Sequence, residues 1–273
     1  MTTESEDKSQ LTVLGLFAHP DDEAFGSGGT LAGLVQKGHK ITVVCATNGD
    51  VGEISDPALA TPENLWQVRQ GELSRAMAVT GVPDVRFLNY RDSGMPGTAD
   101  NDNPASLFQS DLAKVEGQIK DIIDELAPDL VFTHDPTGGY GHSDHITVHE
   151  RTTSVIEAMT AKRPHLYYVC FPQKNFRKLW QLMTDNGITP PFAEDMLDSI
   201  GSPDDYVTTV NDVTAYVEVK RESLQCHQTQ VNPNGPFGKL APDILTEWMG
   251  TEYFYLKQPD NGDTQADILA DLI

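Results

Sequence analysis

Basic residues are scarce: 19 Lys and Arg stand against 41 Asp and Glu, a formal charge of −22. Such a surface repels phosphate backbones and acidic lipid headgroups, so nucleic acid and membrane surfaces are not expected partners, whereas neutral or cationic small molecules are. Cysteine is nearly absent. Cys45, Cys170 and Cys226 form no CxxC pair, and scattered cysteines in odd number read as reduced thiols, not as a disulfide framework. No run of ~18 apolar residues occurs, and the opening MTTESEDKSQ lacks the features of a signal peptide, so a cytoplasmic location is expected. Long Gly/Ser or Pro linkers, repeats and low-complexity blocks are also missing. The 273 residues therefore fit one domain over 1–273, with 1–10 a polar tail, 174–205 an insertion and 258–273 an acidic tail.

What is present is a β-α-β alternation. Short apolar runs at Leu11–Ala18, Ile41–Ala46, Val85–Leu88, Leu130–Thr133 and Leu166–Cys170 read as buried parallel strands. Helical spacing fills Thr30–Lys37, Glu63–Thr80, roughly Ser106–Leu126 and a stretch after His145. The pattern predicts an α/β, Rossmann-like, mostly parallel sheet with helices on both faces. Ligands of such sheets collect at the carboxyl ends of the strands. The polar clusters fall there: HPDDE after the first strand, TNGDVGE after the second, YRDSGM after the third and HDPTGGYGHSDH after the fourth. The 174–205 stretch loses the alternation and is expected on the surface, covering the site. An Ile268/Leu269/Leu272/Ile273 stripe packs on the body or on a partner subunit, and a homo-oligomer is compatible with it.

His19, Asp21, Asp22 and Glu23 crowd an imidazole and three carboxylates into five residues. Zinc accepts such N and O donors, and a hydrolytic zinc keeps three protein ligands plus a water. Asp21 and Asp22 are neighbours in a tight loop, so one can bind metal while the other stays free as a base. His142 and His145 lie three apart after a glycine-rich stretch, and His145, opening a helix, is the better ligand candidate. Arg69 shares a helical stripe with Trp66, Leu73 and Met77. A guanidinium there needs a partner, either an internal acid such as Glu72, Asp92 or Glu53, or a substrate. Asp92 either caps its turn or binds substrate. Asp144 either orients a ligand histidine or caps its helix. His149 reads as support or surface, His134 as a hydrogen-bonded loop histidine.

AHPDDE at 18–23 with GYGHSDH at 139–145 resembles the PIG-L/LmbE-like family of zinc N-deacetylases. The likeness extends through GDVGE at 49–53, RQGEL at 69–73, RDSGM at 91–95 and Lys220…Ser223-Leu224…His227-Gln228-Thr229-Gln230, spanning roughly 11–256. RDSGM and GGYGH look like the bacterial branch that contains the mycothiol-pathway deacetylase. The resemblance implies that His19, Asp22 and His145 bind Zn²⁺, with Fe²⁺ or another divalent ion as alternatives. It further implies Asp21 as general base, His142 as second catalytic imidazole and Tyr140 near the oxyanion, with Arg69 and Asp92 at sugar or inositol hydroxyls. Ser143 departs from the family's HPDH pattern but removes no ligand. His227 is expected to brace the site's floor.

The expected activity is removal of an N-acetyl group from an amino-sugar-like substrate such as N-acetylglucosaminyl-inositol. Zinc brings its bound water towards a pKa of ~7, Asp21 takes the proton, His142, as an imidazolium, stabilises the oxyanion with Tyr140, and either Asp21 or His142 delivers a proton to the leaving amine. An amidase for thiol, glycan or antibiotic conjugates is the alternative. A nucleotide-binding Rossmann protein fits poorly, because GxGxxG would need glycine where Leu31 stands. A non-catalytic sugar-binding protein would not need Asp21 and His142 beside a full ligand set.

Overall fold

The computed structural model describes residues 10–160, 162–232, 234–260 and 265–272. The expected polar tail, at residues 1–9, lies outside them, as do 261–264 and 273 of the acidic tail. In chain order the elements are β1 (Thr12–Phe17), α1 (Asp22–Gln36), β2 (Lys40–Thr47), α2 (Leu65–Thr80), β3 (Asp84–Tyr90), α3 (Leu112–Leu126), β4 (Leu130–His134) and the single turn α4 (Gly138–Gly141). There follow α5 (Ser143–Glu157), β5 (His165–Cys170), α6 (Gln173–Asp185), β6 (Thr209–Asp212), α7 (Val217–Gln225), α8 (Pro242–Met249) and β7 (Thr251–Lys257).

The strands form one seven-stranded sheet in the order β3-β2-β1-β4-β5-β7-β6. The first five pair in parallel, whereas β7 runs antiparallel to β5 and to β6. Alternation along each strand divides the core. Val13 and Phe17 of β1 face Leu31, Leu34, Leu73 and Met77 of α1 and α2. Leu14 and Leu16 face Val115, Ile119, Val148 and Val155 of α3 and α5. Chain order reverses between β1 and β4, so the helices that follow these two strands leave on opposite faces and open a crevice between them.

Helix α1 begins at Asp22, eight residues before its helical spacing becomes legible. Its glycines weaken the sequence signal for a helix, but packing requires them. A Cβ on Gly26 would stand 2.2 Å from Val169 Cγ1, and one on Gly29 2.6 Å from Val213 Cβ. Helix α3 starts later than its spacing suggests, at Leu112, where the Asp111 carboxylate accepts from the Ala113 amide at 3.0 Å. The 174–205 segment carries α6, which buries Leu179 and Met183 against Leu240 and its neighbours. Of the C-terminal stripe, Leu269 is fully buried in the core, with Ile268 and Leu272 packed beside it.

Glu252 ties the antiparallel edge to α1. Its carboxylate accepts from the amides of Gly29 and Thr30 at 2.9 and 2.8 Å and from Lys220 Nζ at 2.7 Å, with both side chains almost wholly buried. Removing one partner strands a buried charge. Lys220→Met is therefore expected to lower stability in urea unfolding by about 3–5 kcal/mol, and an unchanged midpoint would contradict this reading of the pair.

Candidate active site

The site lies at the switch between β1 and β4. His19 follows β1, Asp22 opens α1, His134 ends β4, and His142 and His145 flank the start of α5. His19 Nδ1 is 3.0 Å from His145 Nε2 and 3.6 Å from Asp22 Oδ2, and His145 Nε2 is 3.3 Å from Asp22 Oδ1. Two ligand atoms ~2.1 Å from a tetrahedral zinc lie roughly 3.4 Å apart, so each of these separations has the size of an edge of a tetrahedral cation site, with His19 facing one oxygen of Asp22 and His145 the other.

A neutral imidazole has one proton and one lone pair, and hydrogen bonds fix which nitrogen has which. His145 Nδ1 faces the Gly138 carbonyl at 3.1 Å and donates to it, leaving the Nε2 lone pair inward. His19 Nε2 faces Asp144 Oδ2 at 3.1 Å and Asp92 Oδ1 at 3.6 Å, which leaves the Nδ1 lone pair inward. His134 and His142 lie close enough to belong to a cation cluster, but their lone pairs are taken. His134 Nε2 accepts from the Ala18 amide at 2.9 Å, and His142 Nδ1 accepts from the Asp144 amide at 3.2 Å, which also caps α5. Among the described histidines of the cluster, His19 and His145 offer lone pairs to a cation, with Asp22 as the adjoining carboxylate.

Asp144, fully buried, accepts from the Ser93 amide at 2.9 Å and from the Ser93 hydroxyl. Its carboxylate thus orients His19 and does not cap α5. Asp92 does two things, accepting from the Gly94 amide at 2.8 Å and facing His19 and His142. Asp50 holds the Asp92 amide at 3.0 Å and Arg91 at 2.7 Å. Ser93 and Asp50 were not legible as site residues, because nothing in the sequence marks which loop polar groups turn inward. His134, at a strand end, carried a visible signal. His149 is buried and donates to the His134 carbonyl at 2.9 Å.

Asp21 has φ 139°, a conformation L residues rarely adopt, at a cost of about 1–3 kcal/mol. Arg69 Nη2 lies 3.2 Å from its carboxylate. Arg69 is buried and also donates to the Gly49 and Pro20 carbonyls at 2.9 and 2.7 Å. Its internal partner is therefore Asp21, not Glu72, Asp92 or Glu53. Trp66, on the same helix, is exposed. Tyr140 projects from a turn whose Gly139 has φ 70° and is half exposed, with its ring 5.3 Å from that of His145. The 174–205 segment reaches this turn through the Gly201 amide, which donates to the Gly139 carbonyl at 2.7 Å, and through Ser202, which donates to Asp135.

Burial pushes the Asp21 carboxyl up to about 6, with Arg69 pulling it down and Asp22 adding to the rise. Burial opposes ionisation of Asp22, yet His145 and His134 hold it well below the usual range. At His19 burial is outweighed by Asp92, Asp144 and Asp22, which hold the imidazole well above its ordinary value. So many acids around one ring favour a positive charge at this place, either a second ring proton on Nδ1 or a cation that displaces it from that lone pair. Burial, with repulsion from His19 and His145, lowers His142 to about 3. This shift and the Asp144 amide at its Nδ1 both point away from the expected imidazolium and towards a neutral ring with its proton on Nε2. Desolvation of the hydroxyl and the nearby carboxylates push the Tyr140 phenol up, so it too is a donor.

Residues 14–156 match the family PIG-L, described as GlcNAc-PI de-N-acetylase. A protein from Acidothermus cellulolyticus named 1D-myo-inositol 2-acetamido-2-deoxy-alpha-D-glucopyranoside deacetylase is 36% identical over 90% of this chain and 88% of its own length. One of the same name from Thermobifida fusca is 38% identical over 89% and 92%. Among solved structures, N,N'-diacetylchitobiose deacetylase from Pyrococcus horikoshii aligns with a TM-score of 0.62 at 22% identity, covering 94% of this chain and 87% of that one. A 4-carboxy-2-hydroxymuconate hydratase from Pseudomonas putida KT2440 aligns at 0.57 and 16% identity, covering 94% and 100%. The structural likenesses establish the fold alone, since the same scaffold carries a hydratase. The family match across more than half of the chain, with sequence relatives at these identities over nine-tenths of it, establishes that the chain belongs to the PIG-L family of de-N-acetylases and is an amide-hydrolysing enzyme.

Proposed function

We propose that the protein removes the N-acetyl group from a glucosaminyl-inositol, the compound in the names of its sequence relatives or a near analogue, with one divalent cation held by His19, Asp22 and His145. The observation that carries this reading is the pair of inward lone pairs on His19 and His145 beside Asp22, with the Asp21 carboxyl next to them. Two imidazoles and one carboxylate suit Zn²⁺ or Fe²⁺. A bound divalent ion acidifies a water and polarises the acetyl carbonyl.

In this reading Asp21 takes the proton from the attacking water and returns it to the departing amine. A carboxyl near 6 is suited to both transfers around neutral pH. His142 is too weak a base to arrive protonated, so the acid role falls to Asp21, while His142 Nε2–H and the Tyr140 hydroxyl donate to the developing oxyanion. Asp144 holds His19 in its tautomer. Asp92 serves the hydroxyl-bearing side of the substrate, whereas Arg69 acts chiefly through Asp21, since its terminal nitrogens already donate to Gly49 and Pro20.

The reading is tested by free-amine release from N-acetylglucosaminyl-inositol against plain N-acetylglucosamine. Faster release from the conjugate supports it; no release from either, with cation bound, contradicts the substrate assignment. Asp21→Asn is expected to keep the cation and lose turnover by about 10²–10⁴-fold. His19→Ala and His145→Ala should lose the cation in elemental analysis, whereas His134→Ala and His142→Ala should retain it. Cation loss from His142→Ala would overturn the lone-pair assignment.

The base is active when deprotonated, so kcat/KM should rise with pH through the titration of Asp21. That limb is expected at or below about 6, because a bound cation adds attraction for the carboxylate to the balance that sets this value. An acid limb well above 7, abolished by replacing His142, would assign the base to the wrong residue.

A further inference from the structure

Asp21 keeps a backbone conformation with φ 139°, and such a conformation persists only where the surroundings over-determine it. The surroundings here are two buried groups that the mechanism above does not use. The Asp21 amide donates to Glu23 Oε2 at 3.0 Å, and the other oxygen of Glu23 meets His227 Nε2 at 2.8 Å. Glu23 and His227 are both buried, at 1% and 0% exposure, and His227 Nδ1 has no partner among the described residues.

We propose that Glu23 and His227 are positioning residues: His227 fixes the Glu23 carboxylate, which holds the Asp21 amide and thereby aims the Asp21 side chain. The proposal rests on the assignment of Asp21 as the proton carrier. A single oxygen facing a backbone amide fixes direction only if the carboxylate cannot rotate, and His227 removes that freedom by engaging the second oxygen.

The segment that bears His227 is itself anchored. The amides of Gln230 and Val231 donate to the His227 carbonyl at 2.9 and 2.8 Å. The amide and hydroxyl of Thr229 donate to Glu72 at 2.8 and 2.6 Å. Glu72 stands three residues after Arg69 on α2, and Arg69 holds the Asp21 carboxylate from the other side. One turn after α7 therefore sets both grips on Asp21, on its amide through Glu23 and on its carboxylate through the helix that carries Arg69. Neither Glu23 nor His227 is within hydrogen-bond reach of the three inward donor atoms by any contact of the described residues, so their loss should leave cation binding intact and act on the rate.

The test uses the full-length, cation-loaded enzyme with N-acetylglucosaminyl-inositol. His227→Ala is expected to lower kcat by about 10–100-fold, the scale of a misplaced reacting group, with KM within about two-fold and cation content unchanged. His227→Gln retains a donor for Glu23 and should recover most of the loss. Because His227→Ala leaves Glu23 unpaired and could fail to fold, the paired replacement E23M/H227F removes the amide's acceptor without stranding a charge, and it should show the same kcat loss. In an Asp21→Asn background, adding His227→Ala should change the residual rate by less than about two-fold, since the two act through one group.

A folded His227→Ala or E23M/H227F enzyme with parental kcat overturns the proposal, as does a full additional loss in the Asp21→Asn background. An Asp21→Asn enzyme with parental turnover would instead overturn the assignment of Asp21 itself.

Discussion

A neutral imidazole has a single lone pair, and the site is organised by which group claims it. Backbone amides claim those of His134 and His142. A carbonyl and a carboxylate take the protons of His145 and His19, so their lone pairs meet beside Asp22. Four histidines packed within a few ångströms of one another thus have three different tasks, and proximity alone would not separate them. The same constraint favours a neutral His142 with its proton on Nε2, and in the proposed reaction the proton transfers then belong to Asp21.

Those hydrogen bonds depend on the sheet. The crevice between β1 and β4 opens because α1 and α5 leave on opposite faces, which brings the HPDDE loop and the GHSDH turn together although they lie more than a hundred residues apart in sequence. The loop after β3 then supplies Ser93 to Asp144 and Asp92 to the rim. Glycines in α1 let the helix that carries Asp22 settle against Val169 and Val213, and Glu252 pins its middle. The position of the site is in this sense a consequence of packing further along the same helix.

The five parallel strands and the clustering of polar loops at their carboxyl ends were legible, because buried strands read as apolar runs and the chemistry-bearing residues stand directly after them. The antiparallel edge formed by β6 and β7 was not. Thr251–Lys257 alternates in burial without a turn signal that would pair it with Thr209–Asp212. The α1 start was hidden by glycines that weaken the helical signal for the sake of close packing. At the site, the candidate ligands and Asp21 could be named from motifs. The state of His142, the Asp21 partner of Arg69 and the Glu23 contact to the Asp21 amide could not, since each depends on a side chain's direction. His227 stood in a motif, yet its reach to Glu23, across 204 residues, is a property of the folded chain.

The central claim is that one divalent cation, held by two imidazoles and Asp22, is needed for amide hydrolysis. Its most direct test is to strip the protein with a chelator and add back Zn²⁺ or Fe²⁺ in sub-stoichiometric steps while following amine release from N-acetylglucosaminyl-inositol. The account predicts no turnover without cation and a linear rise that breaks at one ion per chain. Full turnover by the stripped protein, or a break at two ions, would contradict it.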